Sequence, residues 1–106
     1  MELTNIESIR DKKIIEHYGL VMGATVRARN IVSDLMAMMV NMFGGEVIGY
    51  TELLKEARKE ATERMLLQAS ELGANAIVNI RFSTASIKSG TAEILVYGTA
   101  VKVEEA

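Results

Sequence analysis

The chain has few side chains able to do chemistry. Its 106 residues include a single histidine, His17, no cysteine and seven methionines. Four of those methionines crowd into the run "SDLMAMMVNMFGGE" at 33–46. Read as a helix, Met36 and Met39, and again Met39 and Met42, lie on adjacent turns of one face. Thioethers are soft ligands suited to Cu(I), so this spacing is a candidate copper site. They are also weak and neutral, and no thiolate or nearby imidazole supports them. Methionine is equally the adaptable filler of cores and contact surfaces. His17 is a candidate metal ligand if copies of the chain converge around a symmetry axis. On a partly polar strand face it reads equally as a hydrogen-bonded surface residue. Arg27, Arg29 and Arg81 form a candidate anion-binding set, because a guanidinium matches phosphate and carboxylate geometry. The competing reading is exposed charge paired with glutamates elsewhere.

Catalysis finds little support. Without cysteine there is no thiol nucleophile, and His17 has no serine or aspartate partner at a motif spacing. "GGEVIG" (44–49) has glycines but neither a dinucleotide nor a P-loop pattern. Glu52, Glu56, Glu60 and Glu63 alternate with lysines and arginines, as a solvated helix face does, not an acid/base pair. The chain therefore reads as non-enzymatic, and a metal ion is the one cofactor with candidate ligands. Net charge is −2, so the basic footprint of nucleic-acid binding is missing. "MELTNIESIRDKK" is charged and lacks the apolar core of a signal peptide. No stretch approaches a membrane span, and a cytoplasmic location is the expectation.

The elements that must position these residues follow from periodicity. "IIEHYGLVMGATVRAR" (14–29) alternates with a period of two, and its apolar even positions Ile14, Tyr18, Leu20, Met22, Ala24, Val26 and Ala28 predict the buried face. Asn30 or Ser33 caps a short helix over 34–43, stopped by Gly44 and Gly45. Thr51 caps a longer helix to about Leu72, with the stripe Leu54, Ala57, Ala61, Met65, Ala69 and Leu72 and Gly73 as its stop. Strands at 75–84 and 92–103 follow, joined through "ASIKSGT", where Ser89-Gly90 marks an antiparallel hairpin. Residues 1–12 and 104–106 read as short tails of a single α+β domain. The order is β-α-α-β-β, a small antiparallel sheet with the long helix on one face.

The 34–43 helix has one polar residue, Asn41, between Leu35 and Phe43. A helix apolar all round must be buried all round, which one small sheet cannot achieve. It also lacks the basic face of a membrane-surface helix. The remaining cover comes from another copy, making Leu35, Met36, Met39, Val40, Met42 and Phe43 the expected oligomer interface. The last strand is apolar on both faces, Leu95, Tyr97, Val101 and Val103 against Ile94, Val96 and Ala100, which suggests that both are covered.

"GGEVIGYTELLKEARKEATERMLLQASELGANAIVNIRF", followed by "VYGTAVKV", resembles the YbjQ-like family of small bacterial and archaeal proteins. The resemblance runs from about Lys13 to Val103. It rests on Gly44-Gly45, Leu54…Ala57-Arg58…Ala61, Leu72-Gly73-Ala74-Asn75-Ala76-Ile77-Val78 and Gly98-Thr99-Ala100-Val101. It implies a dodecin-subunit-like fold and a ring-shaped homo-oligomer of five copies. The family carries a heavy-metal-binding label with no ligand set to transfer to this chain.

Overall fold

The computed structural model describes residues 1–28, 48–88 and 91–106; the side chains of 27, 28, 48–53, 86–88, 91 and 92 are not described. The described elements are β1 (Glu2–Leu3), β2 (Lys12–Ala28), α1 (Ile48–Glu71), β3 (Ala76–Lys88) and β4 (Thr91–Glu105). The strands make one sheet in the order β1-β3-β4-β2. β4 is antiparallel to both long neighbours, as the hairpin signal predicts, but β1 runs parallel to β3, so the sheet is mixed. The expected 34–43 helix, with Leu35, Met36, Met39, Val40, Met42 and Phe43, lies outside the described residues, as does the Ser89-Gly90 turn.

Residues expected as an N-terminal tail instead join the sheet. The backbone N–H of Glu2 donates to Asn75 O, and Thr4 N–H to Ile77 O, each at 3.1 Å. Further on, Asn79 and Ile80 donate to Ile6 O and Thr4 O at 2.9 and 3.1 Å. Asn79 adopts φ 54° at a register shift between Val78 and Arg81. Asparagine tolerates this left-handed conformation better than most residues. The hairpin is also longer than expected, because Ala85 and Ser86 pair with Glu93 and Ala92, which leaves most of "ASIKSGT" in strand.

α1 starts three residues before the predicted Thr51 cap, and its far end follows the sequence closely. Gly73 takes φ 91°. Its N–H donates to Ser70 O at 3.0 Å while Ala74 N–H reaches back to Ala69 O at 3.1 Å. That double bond is the Schellman arrangement, which satisfies the last helical carbonyls.

The buried stripe of α1 is Ala57, Ala61, Met65 and Ala69, all fully covered. Three alanines in four positions let the helix backbone come close to the sheet. A Cβ on Gly23 would lie 2.0 Å from Ala61 O and 2.7 Å from Met65 N, so only glycine fits that crossing. Two residues on, the buried Thr25 Oγ1 donates to Ala57 O at 3.0 Å. With this layer pack Val21, Ala74, Ile77, Val96 and Ala100, flanked by half-buried Tyr18, Leu66 and Ile80. A second cluster, Ala76, Val78, Val101 and Val103 with Ile9 and Ile14, fills the opposite face at one end, where the N-terminal chain covers it.

Ile14 and Tyr18 are half-buried against the core as expected, but from Leu20 onward the phase of β2 is the reverse of the expectation. Val21, Gly23 and Thr25 face the helix, whereas Leu20, Met22 and Val26 are 62%, 44% and 51% exposed. Two register shifts, at Ile14/Glu16 and His17/Gly19, interrupt the simple alternation, and Gly19 takes φ 101° at the second. Each bulge inserts one residue and re-aims those that follow.

Candidate functional site

The face of the sheet turned away from α1 carries two of the candidate residues, His17 and Arg81. Directly paired residues on antiparallel strands point the same way. His17 pairs with Val101, Leu20 with Thr99, Met22 with Tyr97, Ala24 with Leu95 and Val26 with Glu93. Across β4, Arg81 pairs with Tyr97 and Ser83 with Leu95. This half of the face is therefore a two-column apolar strip, Leu20, Met22 and Val26 beside half-buried Leu95 and Tyr97, bordered by exposed His17 and Arg81. Covering the exposed part of those three β2 side chains would contribute roughly 1–2 kcal/mol each, scaled from full-burial values of about 1.5–3.

The shape of the molecule fits an uncovered sheet. It measures 54 × 26 × 19 Å with a radius of gyration of 17.2 Å. A rounded domain of this length has about 13 Å. β2 spans 17 residues, about 56 Å at strand rise, while the 24 residues of α1 reach only about 36 Å.

The edges of the sheet are treated unequally. β2 is an edge strand, and α1 covers part of its rim with side chains. Gln68 Oε1 accepts from Met22 N–H at 2.7 Å. Arg64 Nη1 donates to Ala24 O at 2.5 Å while its Nη2 meets Glu60 Oε1. These bonds occupy backbone groups that would otherwise attract a foreign strand. At the opposite end, Lys12 and Glu105 pair at 2.5 Å and Lys13 and Glu104 at 3.4 Å across β2 and β4. The hydrogen bond from Lys12 to the Glu105 carboxylate holds the ammonium above its ordinary pKa, against a smaller desolvation effect.

Arg27 and Arg81 stand at separate levels on two non-adjacent strands. β4 lies between β2 and β3. Arg81 stands level with Tyr97 and Arg27 level with Ala92, roughly 16 Å apart along the strands and about 10 Å across them. Arg29 lies outside the described residues. Arg81 has structural work, donating from Nη1 to Asn5 O at 2.6 Å and to Ile80 O at 3.0 Å, which fastens the N-terminal chain to β3.

Among the described residues no three His, Cys, Asp or Glu side chains come together. His17 is exposed and separated along β2 from the Met22 thioether by a bulge and Leu20. Nor is any described helix long and apolar enough to cross a membrane. Sequence reasoning missed Asn75, whose side chain behaves as an extra strand residue. Its Nδ2 donates to Val103 O at 3.0 Å and its Oδ1 accepts from Val103 N–H at 2.8 Å. An asparagine between a helix stop and a β run was the available signal.

The comparisons with known proteins agree with the motif resemblance. The YbjQ-like family model, described as "Putative heavy-metal-binding", matches residues 1–104. A UPF0145 protein of Hahella chejuensis is 56% identical over 104 residues, covering 98% of this chain and 100% of that relative. One from the archaeon Halorubrum lacusprofundi is 52% identical over 103 residues, covering 97% and 99%. A crystal structure from Pediococcus pentosaceus, titled as a protein with unknown function of the DUF74 family, shares the fold at a TM-score of 0.65. It covers 98% of both chains at 13% identity. From its motifs, its whole-length match and these relatives, the chain belongs to the YbjQ-like, or UPF0145, family.

Proposed function

We propose that this chain is the subunit of a non-enzymatic homo-oligomer whose assembled surface holds a small ligand or ion. One observation carries the reading: Leu20, Met22 and Val26 stand 62%, 44% and 51% exposed in a row on the sheet face that the helix leaves open. Apolar side chains in register on one face are what a protein contact needs, and the 34–43 run adds apolar residues to the same requirement. Light scattering on size-fractionated protein tests it. The wild type should elute as several copies, and Met22→Lys should lower the mass while leaving the far-UV circular dichroism unchanged. An assembly indifferent to Met22→Lys removes this face from the interface.

Heavy-metal binding is the second reading, supported by the family description and by His17 bordering the same open face. Because the described residues of one chain gather no such donor set, the metal would be shared between copies. His17→Ala should leave assembly intact and abolish stoichiometric metal uptake, measured by elemental analysis after equilibration with Cu(I) or Zn(II). Uptake equal to wild type removes the histidine from the site.

A further inference from the structure

We propose that the outer edge of β3, from Phe82 to Ser86, is where a strand of a second copy of this chain adds to the sheet. The proposal rests on the homo-oligomer reading and names the part of the subunit that carries the contact.

Backbone groups on a strand alternate between its two sides. The N–H of Ile80 points outward, donating to Thr4 O at 3.1 Å, so the next outward-facing residues are Phe82 and Thr84. The other edge gives the same phase independently. Met22 and Ala24 direct their backbone away from β4. Their odd-numbered neighbours therefore bond β4, and the β4 partners of Arg81 and Ser83, Tyr97 and Leu95, are left to bond β3. Arg81 and Ser83 face inward, Phe82 and Thr84 outward.

Other described parts of the rim carry at least partial cover. β1 pairs with Ala76 and Ile77, and Ile6 and Thr4 extend the cover to Asn79 and Ile80. On β2, Gln68 and Arg64 occupy Met22 and Ala24. Among the described residues no strand continues along β3 beyond Ile80. Charge, proline and bulges are the usual protection of an edge. From Phe82 to Ile87 the chain reads "FSTASI", with no charge and no proline. Instead it offers Phe82, 53% exposed.

The absence of charge favours a second copy as the occupant. A charged edge would repel its own kind; here a strand of another copy can lie against β3 without like charges meeting. The exposed strip of Leu20, Met22 and Val26 lies on β2, at the other edge of the sheet, and would be a separate contact.

Thr84→Pro isolates the edge. It deletes an outward N–H while the inward bonds of Ser83 and Ala85 to β4 remain, and proline is tolerated on edge strands in that phase. Thr84→Lys installs an edge charge without touching the backbone and serves as the second variant if proline perturbs folding. The measurement is the oligomer mass by native mass spectrometry across a dilution series, with circular dichroism to verify folding. The wild type should be multimeric, and both variants should dissociate at protein concentrations at least ten-fold higher than wild type does. A folded Thr84→Lys protein that keeps the wild-type mass and dilution profile overturns the edge contact and leaves the homo-oligomer reading standing. A monomeric wild type overturns both.

Discussion

Gly23→Ala puts the helix–sheet crossing under direct test. Its new Cβ would begin 2.0 Å from Ala61 O and 2.7 Å from Met65 N, where ordinary contact starts near 3.4 Å. Both obstacles are backbone atoms of α1, so no rotamer change relieves them and the helix must retreat by more than 1 Å. Retreat stretches the 3.0 Å bond from Thr25 to Ala57 O and loosens Val21, Met65 and Ala69 together. Overpacking costs about 1–3 kcal/mol and a lost hydrogen bond about 1 kcal/mol. Against this, alanine in a strand recovers about 0.5–1 kcal/mol over glycine. The net expectation is a loss of roughly 2–3 kcal/mol. Urea denaturation at one fixed protein concentration measures it, because the proposed self-association would make stability concentration-dependent. Gly98→Ala is the comparison: its Cβ meets the Ile77 Cγ2 methyl at 2.8 Å and Val78 O at 3.0 Å, a lesser conflict, and should cost about 1 kcal/mol. A Gly23→Ala loss below about 0.5 kcal/mol, or one smaller than that of Gly98→Ala, would refute the close crossing.

Asn75→Ala removes both bonds to Val103 and should cost about 1–3 kcal/mol in the same denaturation assay. A change within error would mean that water replaces the side chain. Thr25→Val keeps the shape and loses the buried donor to Ala57 O, which retains its helical partner. The expected loss is about 0.5–1.5 kcal/mol, smaller than that of Gly23→Ala. For the Lys12–Glu105 pair, the folded-state pKa of Lys12 lies above its unfolded value of 10.5. Its stabilising contribution is thus complete below that pH and disappears as pH rises through the raised value. NMR titration of Lys12 in the wild type and in Glu105→Gln should show the raised value only in the wild type.

The long helix and the β3–β4 hairpin were legible because each obeys one period and ends at a local signal, Gly73 and Ser89-Gly90. β2 was read in the wrong phase from Leu20 onward because the apolar residues there are not the ones the chain itself buries. Its inner face is set by the helix crossing, which demands glycine at 23 and a small hydrogen-bonding side chain at 25. The alanines at 57, 61 and 69 were the other half of that signal, since small residues on two elements together mark a close approach. Leu20, Met22 and Val26 point outward, which is the observation behind the proposed cover by further copies. β1 escaped notice because a two-residue strand has no period to detect. Nor could the arginine set be judged in advance, since strand order depends on which edge the N-terminal chain occupies.

The central claim is that the open sheet face is covered by further copies of the chain. Native mass spectrometry of untagged protein purified without chelators tests it most directly, and it also weighs any bound metal. The expected result is a mass of several subunits that persists at micromolar concentration and falls in Met22→Lys. A wild-type spectrum containing only the mass of one 11.6 kDa chain at that concentration would contradict it.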